Sequence, residues 1–219
     1  MRVARRLEGR AALSKAELDI AAAIHRSLVP DLDVTTGGLR VLGSSRASST
    51  MGGDLIDVAV AAGRVDVILA DVSGHGVGAG IVMGMLKSSA RTLLRSATSV
   101  ERLVSDLNVV LSELTRPEMF ATMSVVRVRP GGVFEFCLAG HLPILHHHAA
   151  DGSLSDHPND ALPLGIEPGE TYAAGSTSLA PGDTLLMLTD GLIEVQDANG
   201  RELGLGGIRE AFAEAIGRP

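Results

Sequence analysis

The 219-residue sequence has one cysteine, one tyrosine and no tryptophan, and aromatic residues make up only 2% of it. A lone Cys137 excludes an internal disulfide framework and any structural zinc site built on thiolates. So few rings leave no platform for stacking the bases of single-stranded nucleic acid. Basic residues are scarce too. Nineteen Lys and Arg against 26 Asp and Glu give a formal charge of −7, which is the wrong sign for a phosphate-backbone footprint, so no nucleic-acid partner is expected. No apolar run approaches the 18 residues of a membrane span, and the N-terminal MRVARRLEGR lacks the apolar segment of a signal peptide. A cytoplasmic protein without a membrane span is the expectation. What the chain has in quantity is aliphatic: 45% of it is hydrophobic and 21% charged. That is enough for the full core of one soluble domain, packed from Val, Leu, Ile, Ala and Met.

The chain shows no repeat and no low-complexity linker. Ser14 with Glu17 has the spacing of a capping box, and Leu13 with Leu18 that of a hydrophobic staple. Ile20, Ile24 and Leu28 continue as one stripe until Pro30, which predicts a helix ahead of the main domain. The stripe either docks on the core or pairs with the same helix of a second copy. From residue 38 the period shortens, and 39–45, 54–61 and 65–71 read as strands. Two helices follow. The first has its apolar face at Ile81, Val82, Met85, Leu86, Leu93 and Leu94; the second is capped by Thr98 and Glu101 and runs through Leu114. Strands are expected again at 121–129, 133–139 and 143–148, with Pro130-Gly131-Gly132 as a hairpin turn, then a polar loop over 150–170. Strands at 172–179 and 184–189 and a helix near 206–216 complete the chain. Hairpin-linked strands with grouped helices predict an α+β fold of mostly antiparallel sheets.

Acidic residues and glycine concentrate in Gly52-Gly53-Asp54-Leu55-Ile56-Asp57, Asp71-Val72-Ser73-Gly74-His75-Gly76 and Thr189-Asp190-Gly191, and glycine recurs in Ala139-Gly140-His141. Taken singly, an Asp at a strand end before Gly is ordinary turn chemistry. Taken together, carboxylates converging at strand ends repel one another unless a cation stands between them. Hard oxygen donors without thiolate select Mg²⁺ or Mn²⁺. His75 and His141 sit in glycine-flanked loops beside these segments, where each can line the site or stay outside it.

Rival motifs fail on context. Gly74-His75-Gly76-Val77-Gly78-Ala79 has the dinucleotide spacing, but a second helix follows where that fold needs a strand. Asp31-Leu32-Asp33-Val34-Thr35 has the shape of an aspartyl-phosphatase motif, yet a helix end precedes it instead of a buried strand. A cysteine-phosphatase loop would need Arg at position 143, which is Pro, and there is no P-loop Lys. His146-His147-His148 alternate faces along a strand, so the three cannot all point into one site; a solvated or edge-strand cluster is the expectation.

The ordered set Ile24-His25-Arg26-Ser27-Leu28-Val29-Pro30, Gly52–Asp57, Asp71–Gly76, Ala139-Gly140-His141-Leu142-Pro143, Pro163-Leu164-Gly165, Pro181-Gly182-Asp183 and Thr189–Glu194 resembles the bacterial PPM-type (PP2C-like) serine/threonine phosphatases of the SpoIIE/RsbU class. The resemblance spans about residues 18 to 212 and implies an α-β-β-α sandwich of two antiparallel sheets. It divides the chain into a linker or regulatory helix, 1–30, and a phosphatase domain, 31–219. It implies a centre of two Mn²⁺ or Mg²⁺ ions in which Asp71 bridges both, Asp54 and the Val72 carbonyl hold one, and Asp190 holds the other. Asp57, His75, Gly76 and His141 are further positions that could line that site. The implied substrate is a phosphoserine or phosphothreonine on a STAS-type anti-anti-sigma protein in a partner-switching pathway, with a homodimer through the N-terminal helix. Members of the class close with a further Asp in a DD-x-T segment entering a last strand. This sequence has none before Pro219 and so lacks the last strand of the class: either the sequence is truncated ahead of that segment, or the centre has one carboxylate too few on the Asp190 side. The competing class is a binding module of the same fold that docks a STAS or anti-sigma partner without turnover.

Overall fold

The computed structural model describes residues 2–46, 51–61, 63–96, 99–116, 118–158 and 160–216, with side chains from Lys15 onward. Helix α1 (Arg2–Leu28) leads into a hairpin of β1 (Leu32–Thr36) and β2 (Leu39–Gly43), then β3 (Asp54–Ala61) and β4 (Arg64–Val72). Helices α2 (Val77–Leu93) and α3 (Val100–Leu114) precede β5 (Ala121–Val128), β6 (Val133–Ala139), β7 (Ile144–His147) and β8 (Leu154–His157). The chain closes with β9 (Gly175–Ser178), β10 (Thr184–Leu186), α4 (Asp190–Ile193) and α5 (Gly204–Ile216). Every strand pair is antiparallel.

Two sheets build the sandwich: five strands in the order β3-β4-β5-β6-β9 and three in the order β10-β7-β8, with β1-β2 as a separate hairpin. The alternation along each strand assigns the layers. On the five-stranded sheet Leu55, Ile68, Ala70, Val125 and Cys137 pack against Met83, Leu86, Leu103 and Leu107 of α2 and α3. The other face puts Val126, Phe134 and Leu138 against Ile144, Leu185 and Met187 of the smaller sheet. Leu145 and Leu188, on that sheet's outer side, cover Ile208 of α5. The order of layers is therefore α-β-β-α, as the resemblance implied.

Several elements differ from the sequence reading, each for a physical reason. The first helix begins at Arg2, so Ser14 and Glu17 lie within it and not at its start. Its buried side is Ala22 and His25, while Ile20 and Ile24 are exposed. The cap of α3 is Ser99, whose side chain accepts from Arg102 N; Thr98 lies outside the described residues. Strand β1 covers part of the D-x-D-x-T segment, where Asp31 and Asp33 are exposed and paired with Arg46 and Arg40. Strand β8 runs through the expected polar loop, its Asp156 held by Arg209 of α5. The three histidines are not a solvated or edge cluster. Strand β7 is central in its sheet, and His146 is 1% exposed.

One buried amide fixes the loop behind the sheet. Asn108 of α3 donates through Nδ2 to the Glu167 carbonyl (2.9 Å) and accepts at Oδ1 from Gly165 N (2.8 Å). That holds Pro163-Leu164-Gly165, whose Leu164 bridges Ala121 at the start of β5. Asn108→Ala leaves these backbone groups unpaired in a dry place and should lower unfolding stability by about 2 kcal/mol. A urea midpoint equal to wild type would contradict this role.

Candidate metal centre

Residues at one end of the sandwich come together through strand register. Asp54 opens β3 and Asp71 stands directly opposite it near the end of β4. In an antiparallel pair, opposed residues share a face, so both carboxylates point toward the space between the sheets, the side away from Leu55 and Ala70. Thr122 of β5 is opposite Asp71 in turn. Asp190 arrives from the other sheet, as the first residue of α4, four residues beyond β10.

The surrounding loops are built for close approach. A Cβ at Gly53 would lie 2.3 Å from the Val72 carbonyl oxygen and 3.0 Å from Asp71 Oδ1, so only glycine lets this loop pass against the end of β4. Val72 N donates to the Gly53 carbonyl, and Gly76 N to that of Met51, which ties the two glycine-rich segments together. Gly140 has φ +58° and no room for a Cβ against Pro163, which brings the Ala139-Gly140-His141 turn onto the loop held by Asn108.

Electrostatics at this end are one-sided. Burial, then the charges of Asp54, Asp190 and Glu194, push the Asp71 carboxyl up to about 6. Burial also raises Asp54, with the charge of Asp190 adding to it, and hydrogen bonds from Ser45 and Thr189 and the nearby His25 opposing it. Ser45 Oγ donates to Asp54 Oδ2 at 3.3 Å. Among the described residues no Lys or Arg pairs with Asp54, Asp71, Asp190 or Glu194. A crowd of carboxylates with no Lys or Arg beside it is the arrangement a cation relieves. The donors are all oxygen, as Mg²⁺ or Mn²⁺ require, and the Val72 carbonyl borders them; the residues present fit such ions. No three of these carboxylates have oxygens mutually within 4.8 Å, since the one His/Cys/Asp/Glu cluster that tight among the described residues lies elsewhere.

The remaining candidates divide. Asp57 does not line the site. It is three residues from Asp54, hence on the opposite face of β3, where it accepts from Lys87 Nζ (3.0 Å), Arg91 Nε (2.5 Å) and Arg91 Nη2 (2.6 Å) of α2. His75 is exposed in the loop after β4, and Gly76, φ +78°, is the N-cap of α2. His141 is buried, and that burial pushes its ring down to about 4, so it is neutral at pH 7. Its Nδ1 lies 2.8 Å from Thr122 Oγ1, and the Leu188 backbone approaches the ring. It ties the turn after β6 to β5, which carries the partner of Asp71, and its Nε2 is buried without a hydrogen-bond partner among the described residues. Sequence reasoning missed Glu194 and Thr189, although both stand in the quoted Thr189–Glu194 motif. It also missed His25, whose Nε2 lies 2.8 Å from the Gly52 carbonyl and so fastens α1 to the loop before Asp54.

The chain is similar to known proteins in sequence and in fold. Residues 61–219 match the sequence model of the Stage II sporulation protein E (SpoIIE) family. The chain is 26% identical over 187 residues to the phosphoserine phosphatase RsbU of Bacillus subtilis, covering 85% of this chain and 56% of that protein. It thus spans little more than half the length of this curated relative. Among solved structures, the RsbU and RsbW domains of a Mycobacterium tuberculosis protein share 31% identity, with a TM-score of 0.66 over 78% of this chain and 47% of that one. The PP2C domain of SiaA from Pseudomonas aeruginosa is 16% identical and has the same fold, with a TM-score of 0.72 over 99% of this chain and 90% of that one. On the strength of the match across residues 61–219, this chain belongs to the SpoIIE family.

Proposed function

We propose that the chain is a metal-dependent phosphoserine/phosphothreonine protein phosphatase, with Asp54, Asp71, Asp190 and the Val72 carbonyl as its ligands for two divalent cations. The observation that carries this is the cross-strand pair Asp54–Asp71, near Asp190 and Glu194, with no Lys or Arg paired to any of them among the described residues. Bound Mn²⁺ or Mg²⁺ would supply Lewis acidity, activating a water and neutralising phosphoryl charge in an in-line displacement. The chain's own contribution is placement. Asp71, which feels Asp54, Asp190 and Glu194 together, would be the carboxylate to hold both ions. Asp54 and Asp190 approach from opposite sheets, and the His141–Thr122 contact fixes the turn after β6 beside them. Nothing in this division of labour needs a protein nucleophile, which agrees with Cys137 being fully buried.

The substrate we assign is a phosphorylated STAS-domain protein of a partner-switching pathway. The RsbU name of the Bacillus relative and the pairing of RsbU with RsbW domains in the Mycobacterium protein support that class. Phosphate release from a phosphoserine STAS protein, with Mn²⁺ and with EDTA, tests it. Release from p-nitrophenyl phosphate but from no STAS phosphoprotein would reject the substrate and keep the chemistry.

Residues 1–30 are assigned a regulatory part within the same reading. Helix α1 reaches the site loop through His25 and Gly52, and Lys87 Nζ donates to the Leu28 carbonyl at 2.6 Å. The exposed Ile20 and Ile24 leave a stripe for the same helix of a second copy. Ile24→Glu should shift the dimer fraction in light scattering, or the phosphatase rate, without unfolding the sheets. If neither changes, the assignment is wrong.

A further inference from the structure

We propose that His146, His148 and Asp183 form a second metal site, for a transition metal of the zinc type, at the end of the sandwich opposite the carboxylates. Each of the three offers a ligand atom, and these atoms lie within 4.8 Å of one another. Register explains how they meet. His146 and His148 are two residues apart along β7 and its continuation, so their rings share a face, with centroids 4.0 Å apart. Thr184 is opposite His147, which sets the preceding Asp183 alongside His148. The same pairing runs β10 from Asp183 at this end toward Asp190 at the other.

The cluster has the parts of a built site. Asp183 is held in place before any ion arrives: Oδ1 accepts from Ala149 N and Oδ2 from Ala180 N, both at 2.9 Å. Its remaining lone pairs stay available as donors. His146 Nε2 lies 3.1 Å from Asp183 Oδ2, and His146 Nδ1 lies 3.3 Å from His157 Nε2. A metal at His146 Nε2 therefore needs only a tautomer change. The proton leaves Nε2, and Nδ1–H donates to His157 as the outer partner that orients a ligating imidazole. His148 has the equivalent support, with Nε2 2.8 Å from Ser155 Oγ, which leaves Nδ1 as the ligand nitrogen. Phe134 and Phe136 pack against the His157 ring and close the inner side. Two imidazoles and one carboxylate favour Zn²⁺, Ni²⁺ or Cu²⁺ over Mg²⁺ and Mn²⁺, and three protein ligands leave a position for water. The chain would then sort its metals by donor type, hard ions to one end and borderline ions to the other.

The bland alternative is a hydrogen-bonded cluster that only packs the sheet end. Zn²⁺ titration of the whole chain, after EDTA treatment and dialysis and in excess Mg²⁺, separates the two. Calorimetry should show one Zn²⁺ per chain at this site. His148→Ala and His148→Gln should each weaken it by about 10²-fold or more, the upper range even for loss of an outer partner. Asp71→Asn should leave it unchanged. The glutamine variant keeps a donor toward Ser155, so its circular dichroism and melting confirm that loss of binding is not loss of fold. Visible absorption of the Co²⁺-loaded chain, lost in His148→Gln, gives a second readout. Equal Zn²⁺ affinity in wild type and both His148 variants would overturn the proposal. So would Zn²⁺ binding that disappears in Asp71→Asn.

Discussion

Asp71→Asn should reduce Mn²⁺-dependent phosphatase turnover by at least about 10²-fold, the usual consequence of removing a key electrostatic group from an active site. Size is kept and one negative charge is lost, at the position that feels Asp54, Asp190 and Glu194 together. Two divalent cations bound at this group would repel each other, and a carboxylate holding both would offset that repulsion. Stability should move the other way. Without metal, the folded protein holds the Asp71 proton up to about pH 6, against an ordinary value of 3.8. A carboxylate raised on folding favours the native state while both forms are protonated, and that advantage is lost as pH rises through 6. Wild type in EDTA should therefore lose stability between about pH 4 and 6 relative to Asp71→Asn, which has no such group. At pH 7 the variant should melt level with wild type or above it. A destabilised but active Asp71→Asn protein would reverse both expectations and remove Asp71 from the centre.

Asp57→Ala should have the complementary signature: a large loss of stability, with the surviving folded protein still turning over. The Asp57 carboxylate is 4% exposed and takes both Lys87 and Arg91 of α2. Removing it strands two cations against the sheet. Breaking a buried pair typically costs 3–5 kcal/mol, and we place this one at about 3 because Arg91 is 46% exposed and can turn to water. Chemical denaturation measures the loss. The rate, taken well below the melting temperature and corrected for folded fraction, should stay within about threefold, since α2 is pinned by other contacts. A stable variant with no activity would put Asp57 back among the ligands.

The contrast between these two aspartates shows how far the sequence could be read. Asp54, Asp71 and Asp190 were visible because each sits at a strand end or just past one, beside glycine, and strand ends follow from local pattern. Asp57 shares a motif with Asp54, but an offset of three along a strand sends the two to opposite faces. That much was available from the period alone. The partners of Asp57 were not, because Lys87 and Arg91 are about 30 residues away, on a helix whose placement depends on the whole core. Asn108 and His25 were hidden for the same reason: each looks like an ordinary polar residue on a helix until the distant loop it binds is known. Strand order decided the histidines. Alternation along 146–148 was legible, yet whether that strand lay at an edge or in the middle of a sheet was not. Strands β1 and β8 were missed because Leu32–Thr36 and Leu154–His157 are short and polar, and their identity comes from pairing with β2 and β7.

In the proposed reading, the carboxylates gathered by β3, β4 and α4 make a catalytic metal centre. The most direct test is p-nitrophenyl phosphate hydrolysis by the purified chain as Mn²⁺ is raised from zero, in parallel with calorimetry of Mn²⁺ binding. Turnover that is absent in EDTA and rises along the same curve as Mn²⁺ occupancy is the predicted result. A folded chain that fills with Mn²⁺ and releases no phosphate at any concentration would contradict it, and would make this a binding module that docks its partner without turnover.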